Sequence, residues 1–279
     1  MSDVASSVSA VVVDYHAGSA LADCVDSLHK NSIDDVVVVE NGETGSTPPA
    51  LEHRKVTLVT PRINLGYGRG VNRGAAATAP TSFLLVSNPD VVVHEGAVLR
   101  MLEFLEAHPK VGIVGPQILR PDNSVYPSQR TFPNFWLAGL HALLSPWWPK
   151  NPATRRYRST GPDGSVDWVS GACFLIRREV FEIVGGFDER YFMFAEDMAL
   201  CWQVRAAGYG VAALNDAVVT HIEGLSRQRE SRAMLIAHHR SALRFEWQTA
   251  RGVRRFLLPV ASVVLGLRLG LSLLVRPRS

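Results

Sequence analysis

The chain has little of the chemistry from which the most familiar small sites are built. Its 279 residues include three cysteines, Cys24, Cys173 and Cys201, far apart and two of them beside apolar runs. That placement suits buried small hydrophobes better than a disulfide framework or a thiolate metal site, and it favours a reducing compartment. There is no C-x-x-C, no H-E-x-x-H, no G-x-S-x-G and no G-K-[ST]. Zinc-finger, metalloprotease, serine-hydrolase and P-loop readings therefore lack their sequence signals. The opening MSDVASSVSAVVVDYH has neither a basic n-region nor a long apolar h-region, so a secretory signal is not expected. Internal repeats are absent as well.

Apolar residues make up 47% of the chain, enough to fill a sizeable core. The net charge of +3 hides an asymmetry. Residues 227–279 hold 11 arginines against two glutamates, a net +9, on a body of −6 over residues 1–226. A basic end on an acidic body points to an anionic partner at that end. It carries no nucleic-acid recognition motif and no interleaved aromatics, so a nucleic-acid partner is not expected.

Strand-like apolar runs at 9–15, 34–42, 55–61, 82–93 and 111–119, the first continuous and β-branched, alternate with helical patterns. This order predicts an α/β fold with a mostly parallel sheet, the 82–93 strand being broken at Pro89. Sites in such sheets lie beyond the carboxyl ends of the strands, where Asp14, Glu40, Asn64 and Asp90 stand. Residues 120–165, rich in Pro, Arg and aromatics, read as an excursion that frames a pocket. The sequence GYGVAALNDAVVTHIE then predicts two short strands with a turn at Asn215–Asp216, and a basic helix is expected over 229–251. The almost wholly apolar run 256–275 is interrupted by Pro259 and Arg268. It reads as a membrane-surface segment, a spanning helix, or a packing or oligomer contact.

Three clusters can carry chemistry, each with a plainer reading beside it. SNPD at 87–90 is an Asn-Pro turn with a solvated aspartate, or a carboxylate holding a hard cation against a diphosphate. NLGYGRGVNRG at 64–74 is a glycine-rich surface turn, or a loop whose backbone and Arg69 or Arg73 approach a phosphate. Glu196–Asp197 opens a helical pattern after Tyr191, Phe192 and Phe194. It is a helix cap, or a carboxylate tuned as a base by its apolar surroundings. His221 closes the run AVVTH and is either structural or a metal ligand.

Taken together and in order, VVVDYH, VVVVENGETGS, NLGYGRGVNRG, SNPDV, the segment from SGACFLIRR to CWQVRAAGY, and VVTH resemble family 2 glycosyltransferases of the GT-A fold. The likeness covers roughly residues 8–225 and is greatest to the rhamnosyltransferase branch. It implies a Rossmann-like, mostly parallel central sheet flanked by helices over residues 1–226, with residues 227–279 as a basic, apolar helical extension. It implies that Asp14, Tyr15, Glu40 and Asn41 meet the nucleoside and that Asn64, Gly66 and Arg69 lie along the donor. The family's D-x-D motif is Asn88-Pro89-Asp90 here. Asp90, helped by His221, would then ligate magnesium or manganese, with Asn88 replacing the first acid. Asp197 would be the catalytic base and Glu196 its neighbour. The family's usual E-D-x-D-L is EDMAL, so Ala199 replaces its last acid. Trp168, Ser170, Gly171 and Ala172 resemble an acceptor-side wall, and Arg130 a recurring feature of the branch.

The implied reaction is inverting transfer of L-rhamnose from dTDP-L-rhamnose to a polyprenyl-diphosphate-linked N-acetylglucosamine in cell-wall linker assembly. The implied location is peripheral, on the cytoplasmic side of the membrane, with a homo-oligomer possible. The alternatives are transfer from a UDP-glucose or UDP-galactose type donor to another glycan, and a non-catalytic glycan- or polyanion-binding protein on the same scaffold.

Overall fold

The computed structural model describes residues 4–130, 132, 166–222 and 232–275. The expected excursion therefore falls mostly outside the described residues, as do 227–231 and the last four.

Ten strands are described: β1 Val8–Asp14, β2 Asp35–Glu40, β3 Thr57–Val59, β4 Phe83–Ser87, β5 Val91–Val93, β6 Val111–Leu119, β7 Gln129–Arg130, β8 Trp168–Val169, β9 Cys173–Arg177 and β10 Gly210–His221. Eight form one sheet in the order β3-β2-β1-β4-β9-β6-β10-β5, while β7 and β8 pair separately. The half made by β3, β2, β1 and β4 is parallel, as the buried β-branched runs predict. β9 enters antiparallel between β4 and β6, and β5 pairs antiparallel with β10 at the edge.

Helices cover both faces. One face takes Ala20–Lys30 and Ala97–Ala107, whose buried Leu21, Cys24, Leu28, Met101 and Leu105 join the larger core. The other takes Tyr67–Ala75, Arg178–Ile183 and Glu196–Ala206 around Phe174, Phe181, Phe187 and Leu200. All three cysteines are free and buried. Burial raises the thiol of Cys24 to about 12, so it behaves as an inert small hydrophobe.

Two elements differ from the sequence expectation. Residues 210–221 form one strand, because pairing with β6 resumes after a register shift between Leu214 and Val218. Asn215 and Asp216 lie in that bulge, where no reversing turn is needed. The apolar end is the helix Leu258–Val275, with Pro259 at its second residue where no backbone donor is required. Among the described residues no helix is long and apolar enough to cross a membrane. This helix packs against the helix Arg232–Thr249.

Candidate active site

β1, β2, β4 and β10 all end on one rim of the sheet, and each delivers a polar side chain there. Asp14, at the end of β1, is buried, and its Oδ1 accepts the N–H of Ala17 at 3.0 Å. Burial, reinforced by the charge of Glu40, raises its carboxyl above the usual range despite that bond. Glu40 at the end of β2 accepts the Gly42 N–H on Oε1 at 3.0 Å, while its buried Oε2 has no hydrogen-bond partner. Such an atom in a cleft is an acceptor that a ligand N–H or O–H can satisfy. Tyr15, 45% exposed, tilts against His16 with ring centroids 4.5 Å apart.

The glycine-rich segment is laced to β2. Asn41 accepts the Leu65 N–H at 2.9 Å and donates to Asn64 and to the Gly66 carbonyl, both at 3.2 Å. Asn64 accepts the Gly66 N–H at 2.9 Å. These two asparagine side chains therefore hold the loop, in addition to any ligand contact. Gly66 has φ 79° and lies so close to the Phe192 carbonyl that a Cβ would collide with it. Arg69 donates to the Glu189 carbonyl at 2.8 Å and lies 3.8 Å from the Glu189 carboxylate, with its side chain half exposed.

The Asn88–Asp90 turn joins β4 to β5. Because β5 pairs with the end of β10, Val91 stands opposite His221. Asp90 Oδ1 is consequently 3.0 Å from His221 Nε2, with both side chains largely buried. The buried Nδ1 of His221 has no partner. An aspartate oxygen and an imidazole nitrogen side by side suit a divalent cation that shares phosphate oxygens with substrate. No cluster of three or more His, Cys, Asp or Glu among the described residues would make an all-protein cage. The donors present therefore fit a cation completed by substrate and water.

Asp197 sits one residue into the helix Glu196–Ala206 and is linked to this turn through Ser170–Gly171–Ala172. Asn88 N–H donates to the Ala172 carbonyl at 2.8 Å. Gly171 N–H donates to Asp197 Oδ2 at 2.9 Å, and Tyr67 O–H donates to the Gly171 carbonyl at 2.6 Å. A Cβ on Gly171 would stand 3.2 Å from the Asp197 Cβ, so the glycine permits this close approach. Asp197 Oδ1 accepts the Met198 N–H at 2.8 Å. A carboxylate oxygen held in this way keeps further lone-pair capacity for a hydroxyl.

Glu196 differs sharply from its neighbour. It is buried, its Oε2 has no partner, and burial followed by the Asp197 charge raises its carboxyl to about 8. The preceding Phe194 and Ala195 have φ of 68° and 61°. Two successive non-glycine residues in the left-handed region cost about 1–3 kcal/mol each and persist only where their surroundings fix them. Of the aromatics upstream, Tyr191 is fully buried, whereas Phe192 is 48% exposed at the rim.

Trp168 is a core residue. Its indole is 7% exposed and packs in the core with Val169 and Phe174, because β8 passes beneath the helix Glu196–Ala206. Arg130 pairs with it through the backbone in β7. Ala199, which replaces an acid of the family pattern, is fully buried beside Tyr191 and Phe245. A carboxylate there would be desolvated without a partner, so in this chain the position is a packing seat. A separate cleft lined by Phe104, His108, Lys110 and Tyr209 lies at the opposite end of β6 and β10 and shares no residue with the rim.

Residues 5–242 match the family model described as glycosyltransferase like family 2. Over 225 residues the chain is 39% identical to the N-acetylglucosaminyl-diphospho-decaprenol L-rhamnosyltransferase of Mycobacterium tuberculosis, covering 75% of this chain and 73% of that protein. It is 28% identical over 155 residues to the rhamnosyltransferase WbbL of Escherichia coli, covering 51% and 56% of the two chains. The fold superposes on a Pyrobaculum calidifontis mannosyltransferase in complex with GDP-Man and Mn2+, at TM-score 0.59 and 17% identity, covering 97% of this chain and 76% of the other. It also matches GalNAc-T7 with UDP, GalNAc and Mn2+, at TM-score 0.61 and 14% identity, covering 95% and 55%. The rim motifs, the sheet that orders them and the extent of these matches lead to one assignment: the chain belongs to the family 2 glycosyltransferases and has the GT-A type of α/β fold.

Proposed function

We propose that the chain transfers L-rhamnose from dTDP-L-rhamnose, with inversion, to N-acetylglucosamine carried on a polyprenyl diphosphate. The observation that carries this reading is the Ser170–Ala172 bridge. It fixes the Asp90–His221 pair on one side and Asp197 on the other. The named activity of the 39% identical mycobacterial relative supplies the substrate class.

Asp14, Tyr15 and Glu40 receive the nucleoside, with Glu40 Oε2 as an open acceptor. Asn41 and Asn64 hold the Gly66 segment along the donor, and Arg69 faces the diphosphate charge. Asp90 and His221, beside Asn88, would hold magnesium or manganese. Such an ion supplies neutralisation of the charge that grows on the departing diphosphate. Asp197 accepts the proton of the acceptor hydroxyl as that oxygen bonds to the anomeric carbon. The anomeric carbon–oxygen bond to the diphosphate breaks on the opposite face, and dTDP leaves. Glu196, held neutral by its burial near pH 7, does not compete for that proton. Ser170, Gly171 and Ala172 form the acceptor-side wall with Arg130, and Trp168 supports it from below.

Residues 227–279 serve as a basic, apolar extension that holds the enzyme peripherally on a membrane, at the cytoplasmic side, where a lipid-linked acceptor resides. Transfer from dTDP-rhamnose, UDP-glucose and UDP-galactose to a short-chain polyprenyl-diphosphate N-acetylglucosamine, with and without magnesium or manganese, tests the reading. The expected product is rhamnosyl-N-acetylglucosamine still carried on the polyprenyl diphosphate, formed only with a divalent ion. Transfer of glucose or galactose in its place would contradict the donor assignment.

A further inference from the structure

The helix Arg232–Thr249 reaches the catalytic acids from outside the sheet. It touches the segment in front of Glu196 at Tyr191, Met193 and Phe194. Tyr191 O–H donates to Gln248 Oε1 at 2.8 Å. Ser241 O–H donates to the Met193 carbonyl at 2.8 Å. The Phe194 ring meets His238 edge-on at 5.3 Å, and the Arg244 guanidinium lies over the Tyr191 ring at 5.9 Å. Behind them Phe245 closes a small core with Tyr191 and Ala199. The segment so gripped contains the two left-handed residues Phe194 and Ala195, which set the direction in which Glu196 and Asp197 emerge. No side chain caps the helix that starts there. Its entry geometry therefore depends on contacts made by the preceding loop.

We propose that Ser241 and Gln248 are positioning residues for the catalytic acids, acting by fixing the strained loop 191–195. The inference rests on the glycosyltransferase reading above. Its logic lies in the separation of two restraints. The donor-side segment around Gly66 is held mainly by Asn41, which follows β2, and by its own Asn64. It meets the loop only through the Phe192 carbonyl, which accepts the Tyr67 N–H at 3.1 Å, and Ser241 and Gln248 bond the loop at Met193 and Tyr191 instead. Loosening the helix contacts should displace the base far more than the donor-side segment, which keeps its Asn41 and Asn64 bonds. An error of about 1 Å in the base is enough to cost on the order of 100-fold in rate.

The test uses the full-length chain with magnesium, dTDP-rhamnose and a short-chain lipid-diphosphate acceptor. Ser241→Ala and Gln248→Leu are combined, and kcat, dTDP affinity and thermal midpoint are measured for wild type and variant. The expected result is a kcat at least tenfold lower, dTDP affinity within about twofold of wild type, and a largely preserved midpoint. Gln248→Glu, which keeps an acceptor for the Tyr191 hydroxyl, should restore most of the loss caused by Gln248→Leu alone. Tyr191→Phe removes one hydroxyl and gives a second route if the double variant does not fold. It should lower kcat several-fold with dTDP affinity unchanged. Unchanged kcat in the double variant or in Tyr191→Phe overturns the inference. Parallel losses of kcat, dTDP affinity and thermal midpoint do so as well, because they describe a merely structural contact. Absence of transfer by wild type would overturn the functional reading itself, a different outcome from a wild type that transfers and variants that match it.

Discussion

Glu196 and Asp197 are consecutive carboxylates with different surroundings. Asp197 is half-buried and bonded to two backbone N–H groups, whereas Glu196 is buried with one oxygen unpartnered and its carboxyl raised to about 8. The folded chain therefore binds the Glu196 proton more tightly than the unfolded chain does. Its contribution to stability is fully present below 4.5 and is lost as pH rises towards 8. The expected slope in unfolding free energy across that window is at most about 1.4 kcal/mol per pH unit. Denaturant unfolding of wild type and Glu196→Gln at several pH values should show a steeper fall in wild type, the difference between the two being the Glu196 contribution. The sequence showed the acidic pair and its aromatic neighbours. It did not show which acid would be buried, since that depends on the loop 191–195 and the distant helix holding it.

At the scale of elements, apolar runs made β1, β2, β4 and β6 legible, because a strand buried on both faces is continuous in sequence. β9 was not legible as an antiparallel insertion, since direction within a sheet leaves no mark on a run such as CFLIR. The pairing of β5 with β10 was hidden for the same reason. That pairing brings Asp90 to His221 across 131 positions, so although each was a candidate ligand by itself, their proposed partnership followed only from resemblance. The glycine-rich segment gave a third case. Its glycines read as a surface turn or as a phosphate loop, and neither reading covers Gly74, which serves packing. A Cβ there would lie 2.5 Å from Val11 Cγ1 and 2.9 Å from Val39 Cγ2, so the helix Tyr67–Ala75 rests on β1 and β2 through bare backbone. Gly74→Val should destabilise the fold by about 1–3 kcal/mol through overpacking. Denaturant titration measures this, and a loss below about 0.5 kcal/mol would show that the contact gives way.

The whole molecule is an acidic body with a basic end. Along the C-terminal helices Val253, Phe256, Val260, Val263, Val264 and Leu267 are exposed, near Arg251, Arg254, Arg255 and Arg268. Apolar side chains beside arginines suit an anionic bilayer surface. The chain should sediment with vesicles containing anionic lipid, less with zwitterionic vesicles, and less as salt is raised. A chain cut after residue 251 should lose that binding. Equal binding by the truncated chain would remove the membrane role, and a salt-insensitive dimer formed through the same helices would replace it with an oligomer contact.

The central claim is that Asp90 and Asp197 serve opposite sides of one displacement, and a paired substitution tests it most directly. Rhamnosyl transfer to the lipid-diphosphate acceptor should be followed for wild type, Asp197→Asn and Asp90→Ala, with dTDP binding measured in magnesium. Asp197→Asn should lower kcat by about 100- to 10,000-fold with dTDP binding retained, as loss of a general base requires. Asp90→Ala should weaken magnesium-dependent dTDP binding as well as transfer. Transfer at wild-type rates by both variants would contradict the account.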